Sequence, residues 1–397
     1  MNAEMRGTVK ATVLIVGGAL AIGFVIESMK PTQAMPPFAQ AYGINCEVCH
    51  ENIPALNAYG RYVQRTGYSS LDPSVIHSVN PIWVQEAATW DTQSAIYPNK
   101  IIFGNLNVQA AGYIGSDVTV HAQQWIVSGN EPGFTDTLWL TYNNLLHRDA
   151  HLTVGKLEVP APSPFSMWFE LSPFAPPNIT VGEHVWELQS NRWGAKMDYV
   201  RPGYVIEAGY GGPGGDLNTA FDFTTPTDKT FQYRVAYARP DKPIEAGVYG
   251  ATGSWPLSDG TYDQYSSVTP YLEIDPQHGM PGLFAMWATN HDGNAAAGVG
   301  PVNSGGYTVD VYEPFAGSKV MLGARYEGTY DGLGDVFHYG YVDLGAMLSR
   351  HVASNNANAL MLNMEVNMVS GSTAPGWRAQ LQWNTTVGNL RGLSRGP

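Results

Sequence analysis

An all-β fold, an antiparallel β-barrel of about 16 strands, is what this sequence predicts, and three observations predict it. Charged residues make up only 14% of the 397 residues, while Gly (44), Pro (27), Tyr (22) and Trp (11) are abundant. That balance fits neither a disordered chain nor a helical one, and it suits many strands joined by tight turns. From about Lys100 onward, segments of roughly ten residues alternate apolar and polar positions between Gly, Pro, Asn and Asp clusters. The polar face of these segments carries Asn, Gln, Ser, Thr and Tyr rather than the Lys and Glu of a water-exposed sheet. The length alone admits two ordinary domains or one large all-β domain.

The N-terminus reads as an export signal over residues 1–34. Arg6 and Lys10 precede a largely apolar run from Ala11 to Ile26, and Thr32-Gln33-Ala34 follows as a small-residue cleavage site. The run is shorter than the ~20 residues that span a bilayer, which favours cleavage near Met35 over an uncleaved anchor. No later apolar run reaches spanning length, so any further membrane insertion must use strands.

Residues 35–82 form a small helical or coil segment that holds both cysteines of the chain, in Cys46-Glu47-Val48-Cys49-His50. C-x-x-C-H is the attachment sequence of a c-type haem: two thiols reach the two vinyl groups and the adjacent His ligates the iron. A thioredoxin-like pair would need a βαβ context and a zinc site a second Cys/His pair, and neither is present; a plain disulfide is the remaining competitor. The expected cofactor is therefore one covalently attached haem c, with Cys46 and Cys49 as its tethers and His50 as proximal ligand. Met35 and His77 are the candidates for the opposite axial position. Arg61 and Arg65 are the nearest cations able to pair with haem propionates, or are simply solvated helix charges.

Residues 83–397 are the expected barrel. In Ile102 to Ile114, Leu106, Val108 and Ala110 oppose Asn105, Asn107 and Gln109; in Thr230 to Arg239, Phe231, Tyr233, Val235 and Tyr237 oppose Gln232 and Arg234. The same holds in Lys319 to Glu327, Asn358 to Val369 and Trp377 to Val387. Strand candidates run from about residue 83 to 388, and closure of a bacterial single chain requires an even number, hence 16. Trp125, Trp139, Trp193, Tyr210, Trp287, Tyr312, Tyr330, Trp377 and Trp383 are expected in the aromatic girdles of such a barrel. The Pro-rich stretch Pro160–Gly182 cannot be a lipid-facing strand; it is either a constriction folded into the lumen or a large outer loop. Against an outer-membrane barrel, the chain ends in Arg-Gly-Pro rather than in an aromatic residue.

The pattern F-A-x-x-x-G-x-x-C-x-x-C-H from Phe38, with P-x-L-x-x-[YF]-G-R at Pro54 to Arg61, resembles the fused monohaem cytochrome-porins of bacterial outer membranes. The motif match covers about Phe38 to Tyr68. The family often carries Arg where this chain has Gln40, which leaves Arg61 of the Gly-Arg pair as the candidate propionate partner. The resemblance implies a haem segment plugging the lumen of an outer-membrane barrel. It also implies electron flow from an extracellular donor such as Fe2+ to a soluble periplasmic carrier, with iron(II) oxidase activity as one form of it. Two alternatives stand beside it: a solute porin whose haem is a sensor or structural plug, and a soluble periplasmic cytochrome with a β-sandwich domain. A net charge of −13 argues against nucleic acid as a partner and could help gather Fe2+. Asp259, Asp263, Asp292 and Asp331 are the outer-loop acids available for that, unless they simply serve turn geometry.

Overall fold

The computed structural model describes residues 37–44, 48–52, 55–76, 81–93, 99–103, 105–128, 131–162, 171–186, 191–212, 229–277, 280–315, 319–353, 356–370 and 375–387. The signal segment, Met35, Cys46, His77 and the C-terminal tail lie outside them. A closed antiparallel barrel of 16 strands dominates the chain. Its first five strands are β1 (Ile82–Asp91), β2 (Ile101–Phe103 continued by Asn105–Ile114), β3 (Val118–Ser128), β4 (Glu131–Pro132 continued by Thr135–Leu145) and β5 (Ala150–Leu157). Next come β6 (Arg192–Arg201), β7 (Tyr204–Gly211), β8 (Lys229–Ala238), β9 (Ile244–Pro256), β10 (Tyr262–Ile274) and β11 (Gly282–Asp292). The last five are β12 (Val302–Phe315), β13 (Val320–Tyr330), β14 (Val336–Ala353), β15 (Asn356–Val369) and β16 (Gly376–Val387). Each pairs with its sequence neighbours, and β16 closes on β1 with Val387 opposite Val84 and Gln380 opposite Asp91.

Closure removes the edges that an open sheet would present, and every strand then needs only two faces. On β8 the outward Phe231, Val235 and Tyr237 are 42%, 54% and 48% exposed, while the inward Thr230, Gln232 and Arg234 are 2%, 5% and 7% exposed. This is the reverse of a water-soluble sandwich. Large apolar side chains cover the outside of the wall and polar ones are buried within, an arrangement that lipid stabilises and water does not.

The two rims differ. At the rim where β1 begins and β16 ends, turns are tight: Arg201 faces Tyr204 and Ala353 faces Asn356 across theirs. The opposite rim carries the longer connections, among them β5 to β6 and β7 to β8. The described residues of the β5–β6 connection, 158–162 and 171–186, lie in the lumen, where a short 3-10 turn (Pro176–Asn178) and a two-residue ladder (Thr180–Val181 with His184–Val185) give them shape. Arg325 donates to Ser172 O (2.8 Å), Arg378 to Leu171 O (2.6 Å), and Glu327 accepts from the Ala175 amide (3.2 Å). All three side chains come from inward positions of the wall. Of the two expectations for the stretch Pro160–Gly182, the inward-folded one holds for its described residues; residues 163–170 lie outside them.

The aromatic expectation needs correcting in part. Tyr210, Trp287, Trp377 and Trp383 do face outward, but Trp139 and Tyr312 are 6% and 3% exposed and point into the lumen. Strand parity is the reason: Trp139 shares its face with Thr137, Thr141 and Asn143, opposite the exposed Leu138, Leu140 and Tyr142.

Candidate functional site

Inside the wall, at the tight-turn rim, sits the segment that carries the cysteine motif. It contains helix α1 (Pro37–Tyr42), a short ladder of His50–Asn52 with Ala55–Leu56, helix α2 (Ala58–Arg65) and helix α3 (Pro73–Ile76). Asn57 caps α2, its side chain accepting from the Gly60 amide at 2.9 Å, and the helix stops at Thr66, whose amide bonds Tyr62 O. The chain then turns through left-handed backbone at Gly67 and Tyr68. A bulky residue is uncommon there. Tyr68 is held by its amide bond to Val63 O (3.0 Å) and by ring contact with Trp139 at 5.5 Å.

The cap also fixes the motif. Asn57 donates from its amide nitrogen to Cys49 O (3.0 Å) and from Nδ2 to Val48 O (3.1 Å). A Cβ at Gly60 would lie 2.0 Å from Cys49 O, so the first turn of α2 rests directly on the motif backbone only because residue 60 has no side chain. His50 opens onto a cleft of about 400 Å³ whose lining includes Glu51, Tyr59, Pro240, Lys242, Pro243 and Pro276. The cleft therefore combines the motif with turns of the tight-turn rim. Burial, with Asp275 close by, pushes the Glu51 carboxyl up to about 10, and Tyr312 donates to it at 2.6 Å.

Arg61 does not face open solvent. Its guanidinium reaches Glu273 (2.7 Å), Asp275 (2.8 Å) and Glu245 (3.2 Å) on the wall, and it donates to Leu56 O (2.7 Å). Arg65 forks onto both oxygens of Glu245 at 2.8 Å. The neighbouring acids hold Arg61 well above the usual guanidinium range despite its burial. The network runs on along the inner wall through Arg234 and Glu207 to Lys196 and Asp198. Across the lumen, Thr119 donates to Gly67 O (2.6 Å), Tyr113 to Leu71 O (3.0 Å), and Gln64 to Glu158. β4 and β12, which supply Trp139 and Tyr312, stand on opposite sides of the ring, so the segment is gripped from both.

The structure thus brings Cys49, His50 and Arg61 together and leaves Cys46, Met35 and His77 outside the described residues. Asp259 and Asp331 are turn residues: Asp259 accepts from the Thr261 amide (2.9 Å), and Asp331 accepts from the amides of Leu333, Gly334 and Asp335 at 2.8–3.0 Å. Asp263 and Asp292 instead lie buried beneath the β5–β6 connection. Glu245, Glu273 and Asp275 escaped sequence reasoning; their inward parity was readable, their partners were not.

No protein-family model matches the chain, and no curated protein matches it. Solved structures with a similar fold are outer-membrane proteins, a porin and a channel among them. The DcaP channel of Acinetobacter baumannii aligns over 77% of this chain and 95% of its own at 11% identity, with a TM-score of 0.50. The anion-selective porin from Comamonas acidovorans aligns over 77% and 98% at 13% identity (TM-score 0.49), and OmpT of Vibrio cholerae over 77% and 96% at 12% (TM-score 0.48). At such identities the likeness is one of fold.

Proposed function

We propose that this chain is an outer-membrane barrel of the porin type that carries a covalently attached haem c at its periplasmic rim and passes electrons across the membrane. Tight turns at one rim and longer connections at the other support the orientation, since such barrels keep their short turns on the periplasmic side. The observation that carries the electron reading is the seating of the motif: Gly60 and Asn57 clamp the Cys49 backbone while Arg61 and Arg65 tie the same helix to wall carboxylates. A tethered sensor would need no such anchoring.

The residues present fit a haem. His50 borders an open cleft within the ~300–1,000 Å³ of small-ligand sites; Pro240, Pro243, Pro276 and Pro314 offer apolar contact there, and Lys242 supplies a cation among the acids Glu51, Asp241 and Asp275. Haem, when bound through Cys46 and Cys49, supplies one-electron chemistry that the side chains lack. His50 would supply a nitrogen ligand to the iron. Lys242, free of the wall network that occupies Arg61, is the better placed partner for a propionate. Arg61 and Arg65 fix where the motif sits. The resemblance to monohaem cytochrome-porins supports Fe2+ as the external donor and a soluble periplasmic carrier as the acceptor.

A second reading, passage of small solutes, is favoured by the fold shared with the DcaP channel. One experiment separates the two. The purified full-length protein is reconstituted in liposomes, and haem absorbance and solute leakage are followed on addition of external Fe2+. Haem reduction without leakage is expected; leakage with a haem that stays oxidised overturns the electron reading.

A further inference from the structure

Under the β5–β6 connection, three side chains from distant parts of the chain converge. His184 comes from the connection itself, Asp263 from the start of β10 and Asp292 from the end of β11; they are 2%, 0% and 0% exposed. One nitrogen or carboxylate oxygen from each lies within 4.8 Å of the others. His184 Nδ1 is 2.5 Å from Asp292 Oδ1 and 3.1 Å from Asp263 Oδ2.

The second oxygen of each carboxylate is already spoken for. The Asn294 amide donates to Asp263 Oδ1 (2.8 Å), and Trp186 Nε1 donates to Asp292 Oδ2 (3.3 Å). These contacts turn the remaining two oxygens toward the same ring nitrogen. Nδ1 carries at most one proton, which can serve one of them; Asp263 Oδ2 is buried without a hydrogen-bond partner. Two buried carboxylates facing each other are tolerated only with a cation between them or with a proton kept by one of them. The imidazole is itself locked, stacked on Trp255 at 5.0 Å and packed on Trp186 at 4.5 Å. A cavity of about 10 Å³ borders His184, room for one water.

We propose that His184, Asp263 and Asp292 form a binding site for a first-row divalent metal ion, with one imidazole and two carboxylates as ligands. One nitrogen and hard oxygens suit Fe2+, Mn2+ and Zn2+ rather than the soft ions that thiolates select. The N–H groups on the outer carboxylate oxygens orient the ligands, as supporting shells do in metal sites. The ion would also pin the inward-folded connection to the barrel, since its ligands lie on both. If Fe2+ is the external donor, this is a place on the long-loop side where it would bind; that use rests on the electron reading, the site itself does not.

The test uses purified full-length protein in detergent. Loss of the six-line EPR signal of free Mn2+ on titration should give one bound ion per chain, displaced by Zn2+. Pulsed EPR of that bound ion should show coupling to one imidazole nitrogen. Asp263→Asn and Asp292→Asn should each weaken binding at least tenfold while the heat-modifiable gel mobility of the barrel persists. No stoichiometric Mn2+ uptake, the result expected of an imidazolium bridging two carboxylates, overturns the site. Bound Mn2+ without nitrogen coupling, or binding unchanged in both folded variants, overturns it equally. The readout does not involve haem, so either this site or the electron reading can fail alone.

Discussion

Replacing Arg61 with Met should release the N-terminal segment from the barrel while leaving the barrel closed. Met keeps much of the apolar stem and removes the charge. Three carboxylates then lose a partner, but unequally. Glu245 keeps the two bonds from Arg65, and Asp275 keeps the Ala58 amide at 2.7 Å. Glu273 loses its ion pair, and its side chain is 16% exposed. Removing one partner of a buried pair costs about 3–5 kcal/mol, and partial exposure places this case at the lower end, ~3 kcal/mol. That is a ~100-fold shift in the docking equilibrium. The barrel ladder contains no Arg61 contact, so its own stability should not follow. Protease accessibility of the segment against urea concentration reads the first quantity, and heat-modifiable gel mobility reads the second. Arg61→Met with Glu273→Gln should recover part of the loss, because no carboxylate is then stranded. Segment protection changed by less than about 5-fold in an intact barrel would refute the anchoring role.

Gly60→Ala places a methyl group against the Cys49 carbonyl, a backbone atom that cannot swing aside, and should cost ~1–3 kcal/mol of docking; the expected readout is earlier urea release of the segment than in wild type. Glu158 gives a pH signature, since burial pushes its carboxyl up to about 6 from 4.5. A raised folded pKa means that its contribution to docking is complete below about pH 4.5 and is lost as pH rises through about 6, so segment protection should fall over that window and Glu158→Gln should flatten the fall. A barrel lacking residues 35–76 should still close, and in planar bilayers should conduct cations in preference to anions, because Glu245, Glu273 and Asp275 would then line the lumen without Arg61 and Arg65.

The barrel was legible because its signal is local and repeated. Period-two alternation placed the strands between about residues 83 and 388, and the observed wall runs from Ile82 to Val387. Closure parity then set the strand count. Where an expectation used residue type without parity, it went astray: Trp139 and Tyr312 were assigned to the girdles as aromatics, although Thr137 and Thr141 flank Trp139 on the inward face. At the candidate site, only the cysteine motif was legible. The spacing of Cys46, Cys49 and His50 can be read in a local window, whereas the acidic partners of Arg61 lie far along the chain, and nothing in such a window reports a 212-residue separation from Glu273. Nor does composition show that Asp263 and Asp292 end buried beside His184 while Asp259 and Asp331 stay in turns.

The charges inside the wall explain why segment and barrel belong to one chain. An apolar outer band forces polar residues inward, and acids placed there cannot reach lipid headgroups or bulk solvent as surface acids do. Glu245 and Glu207 are each 1% exposed, which only nearby cations make tolerable. Arg234 and Lys196 provide some of that charge from the wall, and Arg61 and Arg65 provide the rest from α2. The helix therefore acts as part of the inner wall rather than as a tethered domain. It follows that the motif beside it has little freedom: the contacts that neutralise the lumen are those that set the height of Cys49 and His50 at the rim. A free cytochrome would reach its partners by diffusion. On the electron reading proposed above, the motif is held where a soluble carrier would meet it from one side while the barrel opens toward the other.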